Sequence, residues 1–271
     1  MPSALLGGRI YTPGGIDADR SAEVRMDVYD PATDRWTPAP PLPEARHHFG
    51  IAVAGGKLYV IGGYQPGPLP WAPSDAVFEF DPATQAWTRK APMPAPRAAH
   101  VSVELGGRIY SIGGVSGGGA VPTTEVFDPA ANSWAARAPM PTAREHLTAA
   151  VIGERILVVG GRTNRNLAAL EAYTPSTNLW SELREMPTAR GGLTAAALGG
   201  RLLVFGGESP GVFSATEEYD PTTNAWRRMA DMLTPRHGMG AVAAGNTIYV
   251  IGGGSREGFG ASAANEAFAI P

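Results

Sequence analysis

The chain has 271 residues, a formal net charge of −3 and no cysteine, which excludes disulfides, thiol catalysis and zinc sites built on thiolates. Its 35 glycines and 25 prolines leave little room for long helices, while an apolar content of 44% is too high for a disordered chain. The small net charge gives no electrostatic argument for nucleic acid or an acidic membrane, and no apolar run approaches the ~20 residues of a membrane span.

The N-terminal stretch MPSALLGGRIYTPGG has neither a basic region nor an apolar run, so it does not read as a secretory signal, and a cytoplasmic location is expected. From there the chain repeats. Unit one (1–44) carries Gly14-Gly15, then Tyr29 before Asp30-Pro31, then Trp36. Unit two (45–94) carries Gly62-Gly63, Phe80 before Asp81-Pro82, and Trp87. Unit three (95–142) has Gly113-Gly114, Phe127 before Asp128-Pro129, and Trp134. Unit four (143–188) has Gly160-Gly161, Tyr173 and Trp180, with Thr174 in place of the aspartate. Unit five (189–234) has Gly206-Gly207, Tyr219 before Asp220-Pro221, and Trp226. Unit six (235–271) keeps Gly252-Gly253 and Phe268 but ends before a tryptophan. Both the Trp and the Gly-Gly series advance by 46 to 51 residues, so one unit contains both landmarks.

Within unit two, HFGIAVA alternates up to Gly55-Gly56, KLYVI runs to Gly62-Gly63, AVFEF follows a loop, and DPATQ turns into a last strand opening at Trp87. In the Asp-Pro step, aspartate accepts nearby backbone N–H bonds and proline presets φ. A four-stranded unit cannot bury both faces alone, so the sheets must stack around an axis. The sequence therefore predicts one all-β domain over 1–271, with six blades of four strands and the last blade lacking its outer strand. Met1 aligns with Phe49, inside an innermost strand, so closure of the ring is expected mainly by blade-to-blade packing.

The Gly-Gly pair, the aromatic before Asp-Pro and the Trp seven residues later resemble the Kelch repeat, and the resemblance covers nearly the whole chain. It implies a six-bladed β-propeller and no single activity. The Gly-His and Trp-Asp marks of a WD-type propeller are missing. Copper oxidases built on this fold use a Tyr–Cys cofactor that cannot form here, and no cofactor is expected.

Arg46, Arg97, Arg144, Arg190 and Arg236 recur at the start of the innermost strand of units two to six. They read either as a ring of guanidinium groups at one channel mouth, suited to carboxylate or phosphate, or as donors to loop carbonyls. All five histidines, His47, His48, His100, His146 and His237, lie one to three residues after one of these arginines, and Glu145 adds a carboxylate beside His146. His100 reads as structural. The loops after the Gly-Gly pairs are expected on the same face and bring Tyr64, Arg162, Asn164, Glu208, Ser255 and Arg256. Trp71 falls outside the Trp series, in the loop YQPGPLPWAPSD, and is either a binding anchor or a pin for that loop.

No metal site is expected, because His47 and His48 are adjacent on a strand and should point oppositely. The leading reading is a propeller that binds an anionic small molecule or an acidic protein partner. Its ligand contacts would be Arg46, Arg144, Arg236, Arg162, Asn164, Glu208, His47, His237, Tyr64, Trp71 and Arg256. The alternative is a metal-independent isomerase, epimerase or cyclase acting on a sugar acid, with His146, Glu145 and His48 as acid–base groups. That reading follows from a resemblance to sialic-acid mutarotases, bacterial stand-alone Kelch propellers with an Arg-rich pocket. A monomer is expected, with neither nucleic acid nor membrane as partner.

Overall fold

Alternating short strands punctuated by glycine pairs fold as the period requires. The computed structural model describes residues 2–66 and 71–269 and is all-β. From the axis outward, blade one comprises Ala4–Leu6, Arg9–Pro13, Met26–Asp30 and Arg35–Ala39. Blade two comprises Gly50–Ala54, Lys57–Ile61, Val77–Asp81 and Ala86–Lys90, and blade three Val101–Leu105, Arg108–Ile112, Thr124–Asp128 and Ser133–Ala136. Blade four comprises Thr148–Ile152, Arg155–Val159, Leu170–Thr174 and Leu179–Glu182, and blade five Thr194–Leu198, Arg201–Phe205, Thr216–Asp220 and Ala225–Arg228. Blade six has three strands, Gly240–Ala244, Thr247–Ile251 and Asn265–Ala269. This is the six-bladed propeller the repeats predict, and among the described residues the last blade has no fourth strand. Among the described residues no helix is long and apolar enough to cross a membrane.

The core lies between the blades. Leu157, Val159 and Leu170 of blade four pack against Leu202, Val204 and Tyr219 of blade five, all almost fully buried. The ring closes by the same packing, with Ile10 and Tyr29 of blade one against Val242 and Ile251 of blade six. Each outer-strand Trp stacks on its aromatic partner at about 5 Å, as Phe127 with Trp134 at 5.1 Å. Nε1 of four of the five then donates to the preceding blade: Trp87 to Pro40 O, Trp134 to Ala91 O, Trp180 to Ala138 O and Trp226 to Arg184 O. The Asp-Pro turns form as expected, Asp81 Oδ1 accepting from Ala83 N and Asp220 Oδ1 from Thr222 N.

The Gly-Gly pairs are a blade-to-blade joint. The amide of the second glycine donates to the carbonyl of the next blade's repeat arginine, as Gly63 N to Arg97 O and Gly161 N to Arg190 O. At Gly62 and Gly63, φ is 60° and 91°, and a Cβ would collide with the carbonyls of Arg97 and His47. Only glycine fits that conformation and that approach.

Candidate functional site at the axial mouth

The repeat arginines lie beneath the surface, not on it. Arg46, Arg144, Arg190 and Arg236 are 0% exposed and Arg97 2%. Arg144 Nη1 donates to Glu171 Oε2 at 2.5 Å and to Thr142 O, while Nη2 donates to Val158 O. Arg190 makes the same set with Glu217, Thr188 and Val204. Arg97 pairs with Glu125, and Arg236 with Glu266. Blade two has Phe78 where these blades have Glu, so Arg46 lies over that ring at 4.8 Å and takes Glu44 as its counterion. The expected ligand contacts Arg46, Arg144 and Arg236 are thereby corrected. Their guanidinium groups join the strands of their own blade and present nothing to the channel mouth. A signal was available, because Glu125, Glu171, Glu217 and Glu266 each stand two residues before the repeat aromatic.

The face itself is built from the two residues after each arginine. The first of them pairs with the first residue after the Gly-Gly pair of the same blade: His47 with Tyr64, Ala98 with Val115, Glu145 with Arg162, Gly191 with Glu208, His237 with Gly254. The second is left-handed in every blade from two to six, with φ of 53° at His48, 51° at Ala99, 52° at His146, 65° at Gly192 and 63° at Gly238. That conformation lets the backbone turn toward the axis, where Ala99 N donates to His48 O, His146 N to Ala99 O, Gly192 N to His146 O and Gly238 N to Gly192 O. A chain of hydrogen bonds thus circles the mouth, and the side chains at these positions converge there.

The left-handed turn also overturns the expected divergence of His47 and His48. With strand alternation broken, their Nδ1 atoms lie 2.5 Å apart. Among the described residues no group of three or more His, Asp or Glu is placed to hold a metal ion.

Arg162 organises the polar side of the mouth. Its Nε donates to Glu145 Oε1 and its Nη1 to Glu208 Oε1, both at 2.8 Å. Its aliphatic stem crosses Gly191, where a Cβ would lie 3.1 Å from Arg162 Cδ. Glu145 Oε2 bonds Nδ1 of His146, and the His146 ring lies 4.9 Å from that of His48. Glu208 Oε2 accepts from Gly258 N at 2.8 Å and faces His237 Nε2 at 3.5 Å. Burial alone would raise Glu145, yet its bonds and charge interactions with His146 and Arg162 hold it below the ordinary glutamate value. Burial pushes His47 down to about 4 and His48 and His237 in the same direction, so these three imidazoles are neutral at pH 7.

The opposite side is aromatic. The Trp71 ring lies 4.2 Å from His47, 6.3 Å from Tyr64 and 5.6 Å from Phe259. The Arg20 guanidinium sits 4.7 Å from the Phe259 centroid. Glu257, next to Phe259, accepts from Ser209 Oγ and Gly211 N, which fastens the blade-six loop to blade five. A cavity of about 480 Å³ lies between these walls, lined by His48, Tyr64, Trp71, His146, Arg162 and Phe259 among others, and it adjoins an axial channel of about 1030 Å³.

Of the other expected residues, Arg256 is exposed on the channel rim. Asn164 is exposed and accepts from Thr163 Oγ1, whereas Asn166 donates to Glu208 O and Ser209 O. His100 is buried beside Gly50 and Ser102, with neither ring nitrogen hydrogen-bonded. Sequence reasoning missed Arg20, Asn166, Ser209, Glu257 and Phe259, which lie in loops that follow no repeat register.

The Kelch-repeats domain described as KLHDC2/KLHL20/DRC7 matches residues 2–186 and 135–266. The chain belongs to the Kelch-repeat family. Beta-scruin of Limulus polyphemus is 32% identical over 143 residues, 46% of this chain and 15% of that protein. Kelch-like protein 13 of Mus musculus is 35% identical over 121 residues, 43% of this chain and 18% of that protein. These matches span less than a fifth of the curated relatives' length. The solved chain titled "Structure of YjhT" superposes with a TM-score of 0.84 at 17% identity, covering 99% of this Kelch chain and 94% of the other, which shows a shared fold.

Proposed function

We propose that this Kelch propeller binds a small polar molecule in the axial cavity and moves protons on it without a metal, an isomerase- or mutarotase-type reaction on a cyclic sugar or sugar acid. The observation that carries the reading is the Glu145–His146 pair, held by Arg162 and facing the neutral His48 ring at 4.9 Å. Two imidazoles flanking one space, one of them paired with a carboxylate, suit the removal of one proton and the delivery of another. In anomer exchange the hydroxyl proton leaves as the ring oxygen gains one. The ring C–O bond opens to the carbonyl form and then closes on the other face. The aromatic wall of Tyr64, Trp71 and Phe259 suits the C–H face of a ring, and about 480 Å³ lies in the range of small-ligand cavities.

Selection for an anion rests on Arg162, already shared by two carboxylates, and on the rim residues Arg20 and Arg256. The test is exchange NMR on a panel of reducing sugars and sugar acids. The wild type is expected to accelerate interconversion of anomers, and His146→Ala to lower that acceleration by about 100-fold with an unchanged circular dichroism spectrum. No acceleration of any compound by the wild type, or an unaffected His146→Ala variant, would refute the reading.

A further inference from the structure

Two imidazole nitrogens at hydrogen-bond distance cannot both carry a hydrogen. The Nδ1 atoms of His47 and His48 lie 2.5 Å apart, so one donates and the other accepts. With both rings neutral at pH 7, each has a single N–H, and two arrangements remain. Either His47 holds its hydrogen on Nδ1 and His48 on Nε2, or His48 holds its hydrogen on Nδ1 and His47 on Nε2. Each arrangement contains one ring of either tautomer, so the intrinsic preference of imidazole cancels between them.

The surroundings of the two Nε2 atoms decide. His47 is 1% exposed, its backbone exchanges both bonds with Tyr64, and its ring lies 5.4 Å from that of Tyr64 and 4.2 Å from that of Trp71. Its Nε2 is buried and, among the described residues, has no hydrogen-bond partner. A hydrogen there would be an orphaned buried donor, which folded proteins tolerate less than an orphaned acceptor, and an aromatic face is only a second-order acceptor. His48 instead lines the cavity beside His146, where a ligand oxygen can meet an N–H. The shared hydrogen therefore belongs to His47 Nδ1, and His48 carries its own on Nε2. His146 is fixed the opposite way. Its Nδ1 meets Glu145 Oε2, and an ionised carboxylate only accepts, so Nε2 is the nitrogen left to gain and lose a proton.

We propose that His47 is a positioning residue that holds His48 as the Nε2–H tautomer, so that the cavity presents a hydrogen-bond donor, His48, beside a proton acceptor, His146. The pair matches a hemiacetal, whose hydroxyl donates and whose ring oxygen only accepts, and the assignment rests on the anomer-exchange reading. His146 Nε2 takes the hydroxyl proton, the electron pair of that O–H bond forms the carbonyl, and the ring C–O bond breaks with its pair passing to the ring oxygen. His146 then returns the proton to the ring oxygen, while His48 bonds that oxygen through an N–H that it keeps.

The test reads the tautomers directly, by long-range proton–nitrogen correlation NMR of the imidazole rings in the isotope-labelled full chain at pH 7. Each ring is assigned by the loss of its signals in a single-histidine variant. Expected are hydrogens on Nδ1 of His47, Nε2 of His48 and Nδ1 of His146. A His48 protonated on Nδ1, or averaged over both nitrogens, would overturn the proposal. Two substitutions separate positioning from packing. His47→Phe keeps an aromatic ring against Trp71 but no donor, so His48 should become a mixture of tautomers and kcat for anomer exchange should fall several-fold. His47→Asn, which can place an amide N–H where Nδ1–H was, should restore the Nε2–H form and most of the rate. Were His47 only filling space, Phe would be the milder change, and that order of effects would also overturn the proposal. Because the spectra need no turnover, a wild type that exchanges no anomer and a His48 in the wrong tautomer are failures seen in different measurements.

Discussion

Replacing Arg144 by methionine tests whether the repeat arginines belong to the structure or to a ligand. The side chain is fully buried, and its removal strands Glu171, 2% exposed, with Thr142 Oγ1 as its remaining partner. Breaking one side of a buried ion pair costs about 3–5 kcal/mol, because the other charge stays desolvated. For a chain of this size each kcal/mol lowers Tm by roughly 2–4 °C, so Arg144→Met should lower it by roughly 6–20 °C. Blade two supplies the compensating change, since it has Phe78 in place of the glutamate. The double variant Arg144→Met, Glu171→Leu should therefore recover most of the loss, leaving it within about 2 kcal/mol of wild type. Differential scanning calorimetry on the two single variants and the double variant closes the cycle. If Arg144→Met were as stable as wild type but failed to bind a ligand that the wild type binds, the reasoning would be wrong and Arg144 would belong to the site.

Two further predictions follow from the same packing. Burial holds His47 at about 4 in the folded protein against 6.5 when free, with His48, His146, Glu145, Arg162 and Tyr64 as its ionisable surroundings. Its contribution is complete above about pH 6.5 and is lost as pH falls toward 4, up to about 3 kcal/mol. Denaturant titrations from pH 7 to pH 4.5 should show a flatter decline for His47→Gln than for wild type, and equal slopes would argue against a buried neutral imidazole. Trp134→Phe should cost about 1 kcal/mol beyond its lost packing by orphaning Ala91 O, while Trp36→Phe, whose indole N–H has no acceptor among the described residues, should cost less. Equal losses in the two variants would remove the indole bond as a blade-to-blade contribution.

The architecture was legible because it rests on residues that recur for local reasons. Gly62-Gly63, Asp81-Pro82 and Trp87 each answer a backbone or packing demand within a blade or at its joint with a neighbour, and the next blade repeats the demand. The site was legible only where it coincided with a repeat position. His48 and His146 are found by register, although the left-handed turn that converges them is not visible in a strand pattern. The arginine ring misled for a related reason. A guanidinium recurring in every unit is equally consistent with a ligand-facing ring and a buried latch, and the decision lay in Glu171 and its counterparts, which are distant in sequence. Phe259, Glu257 and Arg20 carry no register at all and become neighbours only through the closure of the ring.

Variation among the blades then separates support from function. Positions filled alike, the arginine in blades two to six and the second glycine and the aromatic in all six, hold the ring together. The two positions after the arginine face the mouth and are free to differ, reading His-His, Ala-Ala, Glu-His, Gly-Gly and His-Gly around the axis. The small pairs have a use of their own. Gly191 leaves room for the Arg162 stem, and that passage lets one guanidinium reach both Glu145 on blade four and Glu208 on blade five. A Cβ at Gly191 would lie 3.1 Å from Arg162 Cδ, so the stem that carries the guanidinium to Glu145 would have to shift by a few tenths of an ångström. On the proposed reading, that space is what lets Arg162 hold the Glu145–His146 pair in place.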